Sequence, residues 1–167
     1  MEKYVFKKYS HEYTALFLSE KKKLAKILGK NANIEHIGST AVPGLGGKGI
    51  LDIIIGIIGH NLDDAKKKLI KAGYEFRAIA SVPERLFFRR DYNYKKENRR
   101  VHIHLIKFKS NDWNKMIKFR DYLIKHPESV EQYMNIKKQA VKKASGDGEK
   151  YRKYKEKFIK NILKKTK

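Results

Sequence analysis

The sequence of 167 residues predicts an α/β protein of the α+β type: a mixed β-sheet, an N-terminal helix, one covering helix and a C-terminal helical half. Three observations predict it. Ile50 to Ile58 is almost unbroken Ile and Leu apart from Asp52 and Gly56. A run of that kind is a strand buried on both faces at the centre of a sheet. Val101-His-Ile-His-Leu105 alternates apolar residues with histidine, the period of a strand with two different faces. The chain beyond Ser110 reads as helix, broken only at Ser145-Gly146-Asp147-Gly148.

The elements follow in order. Ser10 is positioned to cap a helix running to Leu28, with Tyr13, Leu16, Phe17, Leu24, Ile27 and Leu28 at helical spacing and Gly29 ending it. Ile34 to Ile37 is a short strand. Thr40 to Gly49 carries four glycines and a proline and is a loop. The apolar strand Ile50 to Ile58 comes next. Asn61 is placed to cap a helix from Leu62 to Ala72, closed by Gly73. Tyr74 to Ile79 and Leu86 to Arg90 read as a strand pair joined over Pro83, and the charged stretch Asp91 to Arg100 reads as an exposed hairpin loop. Val101 to Phe108 is a further strand. Helices are expected over Asn111 to Lys125, Pro127 to Ala144 and Asp147 to Lys165, with Pro127 in a first helical turn. Residues 1–167 are expected to form one domain, the sheet over about 30–108 and the helical portion over about 110–165.

Composition narrows the chemistry. There is no cysteine, which removes disulfides, thiol catalysis, zinc fingers and iron–sulfur clusters together. MEKYVFKKYS at the start is neither signal peptide nor membrane span, so a cytoplasmic protein without membrane contact is expected. Forty Lys and Arg against 18 Asp and Glu give a net charge of +22. Lysine dominates and is spread along the chain, the pattern of solvated helix faces. The charge also favours anionic ligands and keeps RNA open as a partner.

One segment carries the densest chemistry: His36-Ile-Gly-Ser-Thr-Ala-Val-Pro-Gly44, then Lys48 and Asp52. A strand ends at Ile37 and the chain turns at Gly38-Ser39, where glycine lets a phosphate approach the backbone. The Ser39 and Thr40 hydroxyls and the turn's N–H groups are donors for phosphate oxygens. Lys48 adds a point charge, and Asp52 opens the next strand as a candidate ligand for a divalent cation. His102 and His104 share a strand face. Together they can bind a transition metal, donate to a phosphate, or serve as acid and base. Joined to Asp52 they form a two-nitrogen, one-carboxylate set.

His36-Ile-Gly-Ser-Thr-Ala-Val-Pro-Gly-Leu45, Lys48, Ile50-Leu-Asp-Ile53, Val101-His-Ile-His-Leu105, Phe119-Arg-Asp-Tyr-Leu123, Tyr133 with Lys137, and Tyr151 with Lys155 before Phe158 together resemble the GrpB-like family. That family is similar in fold to the polymerase-β-type nucleotidyltransferases. Some members resemble a module appended to dephospho-coenzyme A kinases. The resemblance implies a mixed sheet of nucleotidyltransferase type. It implies a site that takes a nucleoside triphosphate or another phosphate-bearing metabolite and transfers a nucleotidyl group to an unspecified acceptor. On this reading Gly38, Ser39, Thr40, Lys48 and Arg120 bind phosphate. Asp52, His102 and His104 are catalytic and hold magnesium, manganese or zinc.

The superfamily pattern is a Gly-Ser turn followed by Asp-x-Asp or Asp-x-Glu, the paired carboxylates holding two metal ions. This chain has Asp52, but Ile54 stands at the second acid. A one-metal site, a metal-free site and a nucleotide- or coenzyme-binding module without chemistry all stay open. Arg120 is equally placed for an ion pair holding the helical half to the sheet. One of Arg89 and Arg90 is expected to face the same cleft. His36 is expected either at the site or against the first helix. The pairs Tyr133–Lys137 and Tyr151–Lys155, at helical i, i+4 spacing, are either lysine stems lying over rings or ligand contacts.

Overall fold

The computed structural model describes residues 6–59 and 62–166. Helix α1 spans Glu12–Leu28 and leads into strand β1, Ala32–Ile37. A single 3-10 turn, Ser39–Ala41, and an irregular loop precede β2, Leu51–Ile57. Helix α2, Leu62–Lys71, connects to the short β3, Glu75–Phe76, and to the long hairpin of β4, Arg85–Tyr94, and β5, Glu97–Lys107. Helices α3 (Asn111–Lys125), α4 (Pro127–Ala144) and α5 (Gly148–Lys165) complete the chain. The sheet order is β1-β2-β5-β4-β3. Only β2 and β5 run parallel; the other pairs are antiparallel.

The apolar strand is an interior one, between β1 and β5, as its composition requires. Leu51, Ile53, Ile55 and Ile57 of β2 join Val101, Ile103 and Leu105 of β5 on one face, against Leu16, Leu24 and Leu28 of α1 and Ala65 and Leu69 of α2. Each such side chain contributes about 1.5–3 kcal/mol on burial. The N-terminal helix and the covering helix both lie on this face. On the other face Ile37, Ile54 and Ile106 meet Trp113 of α3. A Cβ on Gly56 would stand 2.7 Å from the Trp113 ring, so the missing side chain seats α3 on the sheet. A third cluster joins Val42 and Leu45 of the glycine-rich loop to Leu123, Val130 and Tyr133 of α3 and α4.

Three expectations change. Helix α1 begins at Glu12 with His11 in the cap position, and Ser10 accepts from the Glu12 N–H at 3.2 Å from one residue further out. The proposed Asn61 cap lies outside the described residues. The strand expected over Tyr74 to Ile79 shortens to Glu75–Phe76, because Ala78–Ala80 closes into a 3-10 turn. Ser81 stabilises that turn, donating its hydroxyl to the Arg77 carbonyl (2.9 Å) and accepting from the Phe87 N–H (2.8 Å).

The charged segment Asp91 to Arg100 is not a loop. It continues the β4–β5 ladder to the pair Tyr94–Glu97 and turns at Lys95-Lys96, whose φ angles are 49° and 65°. Ion pairs replace solvation there. Arg100 grips Asp91 with two bonds of 2.7 and 2.9 Å, and Arg99 reaches Glu12 of α1 at 2.8 Å.

Candidate functional site

Between the open face of the sheet and the helical half lies a cavity of about 340 Å³. Its floor begins at the end of β1. Gly38 has φ 74°, a left-handed conformation that glycine adopts without strain. The Ser39–Ala41 turn then closes through the Ala41 N–H donating to the Gly38 carbonyl at 3.2 Å. The β1–β2 ladder sets Ile37 opposite Asp52, which places the carboxylate under this turn.

Asp52 is paired along the parallel ladder with His102. The carboxylate Oδ1 lies 3.3 Å from His102 Nδ1 and 4.0 Å from His104 Nε2. Phe87 of β4 sets its ring against both imidazoles, at centroid distances of 4.9 and 5.2 Å. Burial pushes the Asp52 carboxyl up, but the hydrogen bond from His102 and the charges of His102, His104 and Lys137 outweigh it and hold it below its ordinary value. Burial lowers His104 to about 4, against the opposing pull of Asp52. His104 is thus neutral at neutral pH. Its Nδ1 is buried and, among the described residues, has no hydrogen-bond partner.

The helical half brings the cations. Lys137 of α4 is only 5 % exposed. Its Nζ lies 5.3 Å from the Tyr133 ring and sits so close to Gly47 that a Cβ there would stand 2.6 Å away. The same Cβ would clash with Ser39 Oγ, so Lys137 meets the cavity beside the Gly-Ser turn. Burial, then the charge of Lys155, lower Lys137 to about 7, with Asp52 opposing them. Lys155 of α5 is lowered to about 8, again chiefly by burial. Its Nζ lies 4.2 Å from the Tyr151 ring, and Lys48 Nζ approaches the same ring at 4.4 Å.

Of the residues singled out from sequence, Gly38, Ser39, Lys48, Asp52, His102, His104 and Arg120 line the cavity, as do both tyrosine–lysine pairs, Tyr133 with Lys137 and Tyr151 with Lys155. Thr40 does not. It is buried, donates its hydroxyl to the Ile50 carbonyl at 3.3 Å, and is 2.8 Å from His36 Nε2. With its one proton given to Ile50, the Thr40 oxygen accepts from His36, so Thr40 braces the turn. His36 itself stacks on Phe17 of α1 at 4.8 Å, on the far side of the sheet. Arg120 is held by Glu35 (2.7 Å), the His36 carbonyl (2.9 Å) and Asp121 (2.8 Å), and it ties α3 to β1.

Arg89 lies opposite His102 on the cleft face but pairs with Glu75 at 3.0 Å. Arg90 faces the other way, over Tyr74. Neither lines the cavity. Phe87, Phe119 and Arg152 do, and sequence reasoning passed them over. Strand alternation from His104 and its partner Phe87 was the signal available for the first.

A two-metal arrangement does not fit these donors. Ile54, at the second acid position, is completely buried against Trp113. Among the described residues no group of three or more His, Cys, Asp or Glu side chains is arranged to hold a metal ion. No helix among the described residues is long and apolar enough to cross a membrane.

Comparison with known proteins agrees with the fold. The profile of the GrpB protein family matches residues 4–165. The glutamate-rich protein GrpB of Alkalihalophilus pseudofirmus is 29% identical over 160 residues, covering 93% of this chain and 91% of that one. A UPF0157 protein of Pseudomonas aeruginosa is 32% identical over 78% of this chain and 53% of its own length. The crystal structure of conserved protein GrpB from Enterococcus faecalis superposes with a TM-score of 0.81 at 27% identity, over 97% of this chain and 96% of that one. The Cid1 poly(U) polymerase, solved bound to MgATP, superposes with a TM-score of 0.52 at 12% identity, over 77% of this chain and 41% of the polymerase. That last likeness is one of fold.

Proposed function

The chain belongs to the GrpB family, and from that premise and the geometry of the cleft we propose that it binds a nucleotide or another phosphate-bearing metabolite and transfers a nucleotidyl group to an acceptor hydroxyl. One observation carries the reading. The Gly38-Ser39 turn, the Asp52–His102–His104 cluster and the lysines of the helical half all open onto one cavity of about 340 Å³, within the range of small-ligand sites.

In this reading Ser39 and the turn hold the phosphate chain, and Lys48, Lys137, Lys155 and Arg152 neutralise it. The acceptor oxygen attacks the α-phosphorus, and its P–O bond forms as the bond to the β-phosphate breaks. Pyrophosphate leaves against the lysines. The hydroxyl proton passes to Asp52, whose carboxylate is kept ionised by His102 and oriented by it at 3.3 Å. Phe87, half-buried at the cavity wall, offers an aromatic surface for a base.

Ile54 favours a second reading, in which the cleft binds the same class of ligand without chemistry. The two separate in one assay. Each of the four nucleoside triphosphates, labelled at the α-phosphate, is incubated with the protein and a panel of hydroxyl acceptors including RNA 3′ ends. Label transferred by wild type and lost in Asp52→Asn supports transfer. Saturable binding with no labelled product supports the second reading. Failure to bind any of the four, or any phosphorylated acceptor, contradicts both.

A further inference from the structure

Among the described residues Asp52 is the only carboxylate lining the cavity, against Lys48, Arg120, Lys137, Arg152 and Lys155. Arg120 is neutralised by Glu35 and Asp121. The remaining lining charge is positive: Lys137 stands beside the Gly-Ser turn, and Lys48 and Lys155 meet at the Tyr151 ring. Lys137 is the informative member: an ammonium group 5 % exposed is costly to bury unless a counter-charge meets it. Asp52 is one negative charge for several positive ones. A phosphate chain would supply the rest. A divalent cation entering the same space would meet ammonium groups on the helical side and find Asp52 as the single carboxylate, the second acid position being Ile54, buried beneath Trp113.

On the reading that this cleft binds a phosphate-bearing ligand, we propose that it takes that ligand free of divalent metal, Lys137, Lys155 and Lys48 holding the phosphate oxygens that metal ions hold in two-metal transferases. Three lysines reach that position because α4 and α5 dock across the glycine-rich loop. Gly47 leaves room for the Lys137 head, and the Tyr151 ring lies between Lys48 and Lys155. A lysine ammonium is a compact point charge with three donors, suited to the non-bridging oxygens of a polyphosphate.

The test is calorimetric titration of the full chain with ATP and, separately, with inorganic tripolyphosphate. Each is run in EDTA and again with excess magnesium or manganese. The expected result is binding in EDTA that metal leaves unchanged or weakens, because metal competes for the phosphates. Lys137→Met and Lys155→Met should each weaken it by about tenfold or more, the usual cost of losing a charged hydrogen-bond donor. Lys160→Met, on an exposed helix face, should leave it unchanged and so separates the cleft from diffuse surface charge. Melting curves confirm that each variant is folded. Binding that appears only with metal and vanishes in EDTA would overturn the inference while leaving the phosphate-ligand reading standing. Binding of neither probe under any condition would overturn both.

Discussion

Gly38 and Asp52 are fitted to one another across the β1–β2 ladder. A methyl group added at Gly38 would stand 2.6 Å from Asp52 Oδ2 and 3.0 Å from its Cβ, and the residue's φ of 74° already excludes most side chains. The turn can therefore sit directly on the carboxylate only while position 38 has no side chain. Gly38→Ala is expected to cost about 1–3 kcal/mol, from the left-handed backbone and the forced displacement of Asp52. Urea unfolding reads the loss, and a shifted His102 resonance would show that the carboxylate has moved.

Lys137 makes stability depend on pH in a defined direction. Its folded pKa of about 7 lies below the ordinary 10.5, so between those values the unfolded chain binds more protons than the folded one. Stability from this group rises as pH increases from 7 towards 10.5 and is lost as pH falls back to 7. Lys137→Met removes that dependence. Its advantage over wild type should be of the order of a few kcal/mol below pH 7 and should fade towards pH 10.5. Chemical denaturation of both proteins at several pH values measures the difference, and comparison with wild type cancels the lysines that do not interact with Lys137; Lys155, which does, shifts with it.

Arg120 is a strut between α3 and β1. Its guanidinium bonds to Glu35, to the His36 carbonyl and to Asp121 join α3 to the edge strand β1. Arg120→Met should destabilise the fold by about 1–3 kcal/mol, the range for charged hydrogen bonds. Faster hydrogen exchange in β1 would show the same loss locally.

The hairpin tip offers a gain. Both Lys95 and Lys96 have positive φ, the geometry of a two-residue type I′ turn that Asn-Gly suits best. The double substitution Lys95→Asn, Lys96→Gly should stabilise by about 0.5–1 kcal/mol. Part of that is offset by losing the Lys95–Glu12 pair, which is exposed and worth little.

The sequence was most legible where one local pattern had a single physical solution. The Ile50–Ile58 run had to be an interior strand, and alternation had to put His102 and His104 on one face; that Asp52 lies beside them is set by the parallel β2–β5 register, which the sequence left open. The Gly-Ser turn was visible for the same reason. What stayed hidden depended on partners far along the chain. The Asp91–Arg100 segment reads as solvated because its charges are abundant. Arg99 finds Glu12 only once α1 is docked. Lys137 looks like any lysine on a basic helix, and nothing near it foretells burial. That comes from α4 packing over Leu45 and Gly47, about 90 residues earlier, a separation at which contacts are set by tertiary packing rather than by local pattern. The i, i+4 spacing of Tyr133 with Lys137 and of Tyr151 with Lys155 was the sequence's one pointer to those lysines.

The central claim is that the cleft over Asp52 binds a phosphate-bearing ligand, and thermal unfolding in the presence of nucleotides tests it most directly. Wild type, Lys137→Met and Asp52→Asn are melted with each nucleoside triphosphate and with coenzyme A precursors, with and without magnesium. A ligand at about 100 times its dissociation constant stabilises a fold by about 2.7 kcal/mol, which raises the midpoint by several degrees in a domain of this size. The account predicts such a rise for wild type with at least one of these ligands, sharply reduced in Lys137→Met. A cooperative melt whose midpoint none of them moves, up to millimolar concentration, would contradict it.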